Sequence, residues 1–449
     1  MKIKKSLIDK YNNSQNLIVI SSYPQKGEIY SGKVGGIASF TKNTVRHLPH
    51  SAVVIAEYFD RPEVYEENET LVVRCFKKNT TRMWFEIFKT LFQFRAIQKV
   101  LFQFDFALYG DLLVSSLVIP FWAIIKLFGY RIFVVTHTVI LDVFTLSGHL
   151  GIKNTFQDKL KGIIFNKIFH LFYFLLGILA DKVITTEEIL KNRLVNYIDE
   201  EKLLSIAHGV DRELKPQDKD DARKKLNIGK NEQVILFFGF INWFKGADLF
   251  VSSFAKTNKL LGKKTRFIIA GGESATLSQK DFYRQYFAEV VEKVQKTENI
   301  EITGFVPQSK IALYFSASDL VVFPYRSFIS ASGVLSLVFS YQKPFIVSSN
   351  IAGMFETIDF KAALKSVGLR KEDLVFTMED KELLSTSTKV LKDGLKRKMI
   401  TFTQIVRKER DWKKIASLYD QVIFAPFYTL NGAISAEKIV LTYAESKTC

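Results

Sequence analysis

Short apolar runs rich in Val, Ile, Leu and Phe alternate along the whole chain with longer stretches of helical periodicity. Such runs are strands buried on both faces, and the stretches between them are long enough to hold a crossover helix. The chain is thereby directed to an α/β fold built from parallel sheets wrapped by helices. In the first half, strands are expected at 17–23 (LIVISSY), 51–58 (SAVVIAEY), 70–76, 106–109 (FALY), 131–137 (RIFVVTH), 181–186 and 203–209. In the second half they are expected at 233–240 (QVILFFGF), 265–272, 300–306, 319–325 (DLVVFPY) and 344–349.

With 449 residues the chain exceeds what one hydrophobic core supports, and two domains of roughly 200 residues are expected. The polar, turn-rich stretch 211–233 separates the two sets of strands. It puts the junction near 210–220 and divides the chain into 1–210, 211–410 and a remaining 411–449. Asp218 and Asp220 form a D-x-D there, but in a solvated charge run between domains the pair is not expected to hold a metal ion. Residues 427–449 show no clear periodicity, and no function is assigned to them.

A formal charge of +17 predicts attraction to an anionic partner: nucleic acid, an acidic membrane leaflet or phosphorylated substrates. The cations are scattered and no nucleic-acid motif accompanies them, so no nucleic-acid partner is expected. Two cysteines, Cys75 and Cys449, are too few for a disulfide framework or a four-ligand zinc site and suit a reducing, cytoplasmic location. The basic start reaches Asp, Asn and Gln before any apolar stretch, so it lacks the centre of a secretory signal. The most apolar stretch, 162–180, is interrupted by Asn166, Lys167, His170 and Gly177 and is not expected to span a membrane. The 40 Phe and 17 Tyr need a destination. Within 82–104, Trp84, Ile87, Phe88, Leu91, Phe94, Ile97 and Leu101 share one helical stripe, with Arg82, Lys89, Arg95 and Lys99 around it. The stripe reads either as a helix lying on an anionic membrane or as a helix packed on its own sheet.

Four segments can carry chemistry. The loop after the first strand holds Gly27, Gly32, Gly35 and Gly36 and leads into a helical pattern. Glycines let backbone N–H groups approach a phosphate, and a helix N-terminus favours negative charge; a plain strand-to-helix turn is the alternative. After the strand at 233–240, Lys245 and Gly246 open a helix. A cation there can neutralise a phosphate leaving group, the alternative being an exposed loop lysine. After 319–325, Ser330, Ser332 and Gly333 precede an apolar helical run from Val334, where hydroxyls and free N–H groups form either an anion site or a helix cap. His137 ends the strand at 131–137, where ligands bind in open α/β sheets, and is either a substrate contact or a structural residue. His208 has the same ambiguity and ranks below it.

Taken in order, VGGIASF (34–40), VVTHTV (134–139), ADKVITTEE (180–188), IAHGVD (206–211), FGFINWFKGADLF (238–250), FIIAGGES (267–274), ITGFVPQSKIALYFSASDLVVFPY (302–325), SASGVLSL (330–337), KPFIVSS (343–349) and DWKKIASLYDQV (411–422) resemble the GT-B glycosyltransferases of family 4, the glycosyl transferases group 1 type. The resemblance implies two Rossmann-like doubly wound domains facing across a cleft, with the helix around Trp412 to Tyr419 crossing back to the first domain. It places the acceptor on the N-terminal domain and the nucleotide sugar on the C-terminal one. By the same route Gly35 and Gly36 approach the donor phosphates and Lys245 pairs with them. Ser330, Ser332, Gly333 and Val334 line the phosphate and sugar region, Phe305 and Val306 lie near the base, and His137 faces the transferred sugar.

The chain also departs from the pattern. Ile329 and Leu337 stand where the family commonly places two glutamates. Phe240 aligns with a usual arginine, and Asn242, grouped here with the donor-binding residues, stands where some relatives have another. The implied activity is transfer of a sugar from a nucleotide-sugar donor to a saccharide or lipid-linked acceptor, with retention of configuration and without metal. The expected setting is cytoplasmic, at the inner face of a membrane. No cofactor is expected beyond the nucleotide-sugar co-substrate, whose base is not legible. The departures also suit a second reading, a non-catalytic homologue acting as partner or regulatory subunit of another glycosyltransferase.

Overall fold

A computed structural model describes residues 3–30, 35–153, 155–274 and 277–424; the tail from 427 lies outside them. The chain forms two compact units. The first comprises the chain up to Val139, His170–Gly209 and the stretch from Trp412; the second comprises Ile140–Phe169 and Val210–Asp411. Ile140–Phe169 therefore belongs with the second unit, whereas the sequence division at 210 counts it with the first. Its packing explains this: an added Cβ at Gly148 would lie 2.4 Å from the Trp243 indole, and His149 meets Phe244 edge-on at 5.1 Å.

The first unit is built on an eight-stranded sheet in the order β3-β4-β2-β1-β5-β6-β7-β8. Its strands are β1 Leu17–Ile20, β2 Ala52–Glu57, β3 Glu63–Glu67, β4 Thr70–Phe76, β5 Lys99–Phe104, β6 Arg131–Thr136, β7 Lys182–Thr185 and β8 Leu203–Ser205. All pairs are parallel except β3 with β4. Every residue of β1, β2 and β4 is buried, as a parallel sheet covered on both faces requires. β3, the polar run EVYEE, is only part-buried and closes the edge with charge. Helix Trp412–Phe424 belongs to this unit: Trp412, Ile415 and Tyr419 share a core with Val19, Phe40 and Val54.

Two expectations are corrected here. Residues 106–109 form a turn, and the strand is β5 just before them. The helix Arg82–Leu91 also ends well short of 104. Trp84, Ile87, Leu91, Phe94, Ile97 and Leu101 are buried and Phe88 is half-buried, so most of the stripe packs into the core. Ile97, in the connection to β5, and Leu101, in β5 itself, continue a helical spacing by chance, because a short strand buried on both faces gives the same apolar run as a buried helix.

The stretch 162–180 falls in helix Phe156–Leu179, whose 24 residues are long and apolar enough to cross a membrane by length and composition alone. In the fold its Phe172, Tyr173 and Leu176 are buried, with Phe172 stacked on Phe104 at 4.9 Å.

The second unit has the sheet order β10-β11-β9-β13-β14-β15, with β12 added on β11. The strands are β9 Gln233–Phe238, β10 Lys259–Leu260, β11 Lys263–Ala270, β12 Ile300–Ile302, β13 Leu320–Phe323, β14 Phe345–Ser348 and β15 Val375–Phe376. Only β10 with β11 is antiparallel. In each sheet the chain winds outward in both directions from a central strand, β1 in the first and β9 in the second. The fold is thus two Rossmann-like doubly wound units. Crevices at such reversal points, beyond the carboxyl ends of the strands, are where open α/β sheets bind ligands. In the second unit the reversal lies between β9 and β13, which directs attention to the loops that follow those two strands.

Candidate functional site

The loop after β9 is shaped by three glycines. Gly239 has φ +109°, and a Cβ on Gly271, at the end of β11, would lie 1.9 Å from the Gly239 carbonyl oxygen. Gly246 has φ +71°, and a Cβ there would lie 2.0 Å from the Pro324 carbonyl oxygen, just past β13. Between them Asn242, buried, accepts a hydrogen bond through Oδ1 from the Lys245 amide at 3.1 Å and so caps the turn Trp243–Lys245. Helix Ala247–Phe254 follows directly.

This turn is held from below by side chains distant in sequence. The Arg326 guanidinium grips both Asp248 oxygens, at 2.8 and 2.6 Å, and donates to the Trp243 carbonyl at 2.6 Å. Tyr286 donates to Asp248 Oδ1 at 2.7 Å. Burial alone would raise the Asp248 carboxyl, but the hydrogen bonds and charge of Arg326 and the Tyr286 hydroxyl bring it net below the usual range. The pair is therefore ionised, and its bidentate geometry fixes the direction of the turn.

Lys245 projects back over Gly239. A Cβ at Gly239 would lie 2.8 Å from Lys245 Nζ and 3.4 Å from Val334 Cγ2, so the structure brings together the lysine, the glycine and the start of helix Gly333–Ser340. Among the described residues the ammonium has no hydrogen-bond or ion-pair partner. Desolvation by the surrounding protein lowers its pKa to about 8. An unpaired, partly desolvated cation at this point is a strong attractor for an anion.

Ser332 caps the facing helix, its Oγ accepting from the Leu335 amide at 3.3 Å. Both readings of this serine can hold together: the cap uses a lone pair, while the hydroxyl hydrogen and the first-turn N–H groups of Gly333 and Val334 are the kind of donors that bind anions. Gly333 is exposed with open space above it, and Ser330 is half-buried in the same loop. Phe305 is exposed beside Phe240, their rings near-parallel with centroids 6.4 Å apart, whereas Val306 is buried.

In the first unit, Gly35 and Gly36 open helix Gly36–Val45, both exposed with nothing within 4 Å of an added Cβ. Val34 and Gly32 of that loop lie outside the described residues. His137 follows β6, buried, with Nε2 2.7 Å from Gln103 Oε1 and the Phe40 ring edge-on at 4.8 Å. Desolvation, with a smaller contribution from His208, lowers its pKa to about 3, so the imidazole is neutral at physiological pH. With Nε2–H donating to Gln103, Nδ1 is left as an acceptor. His208 packs between Phe40 and Trp412, which suits a structural role. Asp218 caps a helix by accepting from the Asp221 amide, and Asp220 pairs with Lys230 at 2.7 Å.

The structure adds Gly239, Arg326, Asp248, Tyr286 and Gln103 to the residues that the sequence motifs mark. Gly239 has a local signal, since it directly follows a buried strand at a reversal point. The others act through partners far along the chain, for which the sequence carries no local signal.

Comparison with known proteins gives the following. Residues 218–363 match the model of the family described as Glycosyl transferases group 1. A D-inositol 3-phosphate glycosyltransferase from Segniliparus rotundus is 24% identical over 151 residues, which is 33% of this chain and 32% of that protein. The chain thus matches about a third of the length of this curated relative. Among solved structures, sucrose-phosphate synthase from Thermosynechococcus elongatus superposes with a TM-score of 0.67 at 16% identity, covering 92% of this chain and 100% of that one. Anabaena HepE, solved in complex with UDP-glucose, gives 0.63 at 14% identity over the same shares. At these identities the structural likeness speaks for the fold, which is GT-B.

Proposed function

We propose that this chain, whose residues 218–363 match the glycosyl transferases group 1 model and whose two units have the GT-B fold, is a glycosyltransferase that moves a sugar from a nucleotide-sugar donor to a saccharide or lipid-linked acceptor. The single observation that carries the reading is the unpaired, desolvated Lys245 ammonium over Gly239 at the reversal point of the second sheet.

The chemistry follows from that placement. When the bond between the sugar and the nucleoside diphosphate breaks, negative charge grows on the departing phosphate oxygens. A fixed cation and oriented N–H donors favour that charged state over the ground state. Lys245 supplies the cation, and the first turn of helix Gly333–Ser340 supplies the donors, a set that meets the need without metal. Gly35 and Gly36 are proposed to add N–H groups from the first unit. Neutral His137 accepts a hydrogen bond from a hydroxyl of the transferred sugar through Nδ1, and at pH 7 it holds no proton to donate as an imidazolium. Phe305 and Val306 border the base. The family resemblance supports transfer with retention, the acceptor hydroxyl attacking on the face the diphosphate leaves. The proposed setting is cytoplasmic, at a membrane where lipid-linked acceptors are found.

The test is calorimetric titration with UDP, GDP and ADP and their sugar conjugates in EDTA, on the native chain and on Lys245→Ala. One nucleotide should bind and name the base, and the variant should bind it roughly 10- to 100-fold more weakly, the scale of a lost charge-assisted hydrogen bond. Unchanged binding in the variant would remove Lys245 from the site. The second reading, a partner subunit of another transferase, is favoured by apolar Leu337, buried, and by Phe240 where the family resemblance sets charged side chains. It predicts no nucleotide binding and copurification with an enzyme whose activity this chain raises.

A further inference from the structure

The first unit carries an apolar surface that the donor site does not use. From β4 through β5 and β6 to β7 the sheet order advances in one direction. Right-handed crossovers then lay the connecting helices on one face: Arg82–Leu91, Val118–Leu127 and the second half of Phe156–Leu179. Contacts join them side by side. Phe88, Phe92 and Phe128 form a ring cluster with centroids 5.3–5.5 Å apart, and Lys126 Nζ donates to the Leu179 carbonyl at 2.9 Å.

Each helix already has a buried inner side, represented by Trp84, Trp122 and Phe172. Its outer side is apolar as well. Leu127 is 87% exposed, Leu113 of the short helix Leu112–Ser116 72% and Phe85 62%, with Phe92, Phe128 and Phe174 also exposed. Scattered exposed leucines need no explanation, but large apolar side chains on three adjoining helices form a layer that water does not favour.

The charge around the layer says what covers it. Of the carboxylates along these helices, Glu86 is engaged by Arg82 at 3.0 Å and Asp181 by Lys126 at 3.3 Å. Arg82, Lys89 and Arg95 are exposed beside the apolar side chains. A second copy of a chain with net charge +17 would bring like charge against this rim, whereas an anionic leaflet satisfies both the rim and the apolar centre. We propose that this face of the first unit, with Phe85, Phe92, Leu113, Leu127 and Phe128 at its centre, seats the protein on an anionic lipid surface. The proposal deepens the membrane setting given above, and its test needs no sugar transfer.

The full chain is sedimented with vesicles of phosphatidylcholine alone and of phosphatidylcholine with phosphatidylglycerol. The Leu127→Ser/Phe128→Ser and Arg82→Glu/Lys89→Glu double variants run in parallel, with circular dichroism melts to verify folding. The native chain should bind the anionic vesicles and not the neutral ones, with affinity falling as salt rises. Each folded variant should bind at least about tenfold more weakly. Absence of binding, equal binding to both vesicle types, or native-like binding by the variants overturns the proposal. So does a native oligomer, seen by light scattering, that Leu127→Ser/Phe128→Ser dissociates, since the face would then belong to a second copy. Vesicle binding is read without nucleotide, so it stands or falls separately from the donor site.

Discussion

Lys245 shows at the scale of one residue how a binding site is maintained at the expense of stability. Its ammonium has a pKa of about 8 in the fold against 10.5 for an ordinary lysine. Between those two values the unfolded chain holds a proton that the folded chain has released, so the contribution of Lys245 to stability rises with pH across that window. Below pH 8 the full penalty of enclosing the charge is present. Replacing Lys245 by Met should therefore raise the melting temperature at pH 7, by a stability increment of about 1 kcal/mol, while weakening nucleotide binding. At pH 10 the difference in melting temperature should shrink, because native Lys245 is then mostly neutral. Thermal melts at the two pH values check this, and a Met variant that is less stable at pH 7 would mean that the ammonium has a partner in the folded state. For the native chain, affinity for a nucleoside diphosphate should fall as pH rises above about 8, where the free ammonium is lost.

At the scale of elements, the turn Trp243–Lys245 is fixed on one side by Arg326 and Asp248 and on the other by the helix Ser147–Leu150, whose Gly148 lies against the Trp243 indole. An alanine there would set its Cβ 2.4 Å from the ring, and the ring, with the Arg326 guanidinium 4.9 Å from its centre, must move. Lys245 is two residues further on. Gly148→Ala should weaken nucleotide binding roughly tenfold through this displacement, the size expected when a positioned group shifts by a fraction of an ångström. Gly394→Ala, into open space, should change nothing. Equal affinities of the two variants would show that the turn absorbs the shift. The sequence made Lys245 and the Ser332 loop legible because each directly follows a buried strand, so a local pattern places both at the carboxyl edge of one sheet. β4 keeps its expected bounds, 70–76, since TLVVRCF admits little else. β3 is not legible because EVYEE has the composition of a loop and becomes a strand only by pairing with β4. β5 continues the spacing of the helix before it, and no sequence signal separates the two. Arg326 and Asp248, 78 residues apart, meet only through the fold.

At the scale of the whole molecule, the chain builds each unit from separated segments, and the first unit's core is complete only when the last helix arrives. Trp412 is buried there with Phe40 edge-on at 5.2 Å, and Gly209 lies so close beneath the indole that a Cβ would meet it at 2.3 Å. Tyr419 and Ile423, about two and three turns along the same helix, are fully buried in the same core as β1 and β2. Trp412→Ala would leave a cavity in that core, costing about 3–5 kcal/mol. The loss should be felt first where the indole packs. In native-state hydrogen exchange the amides of β1 and β2 should lose protection by more than about a hundredfold, the equivalent of 3 kcal/mol, whereas those of β9 and β11, in a unit with its own sheet and core, should keep theirs. An equal loss in both sets would mean that the two units unfold as one cooperative body. Protection unchanged in β1 and β2 would mean that the first unit's core does not depend on the returning helix.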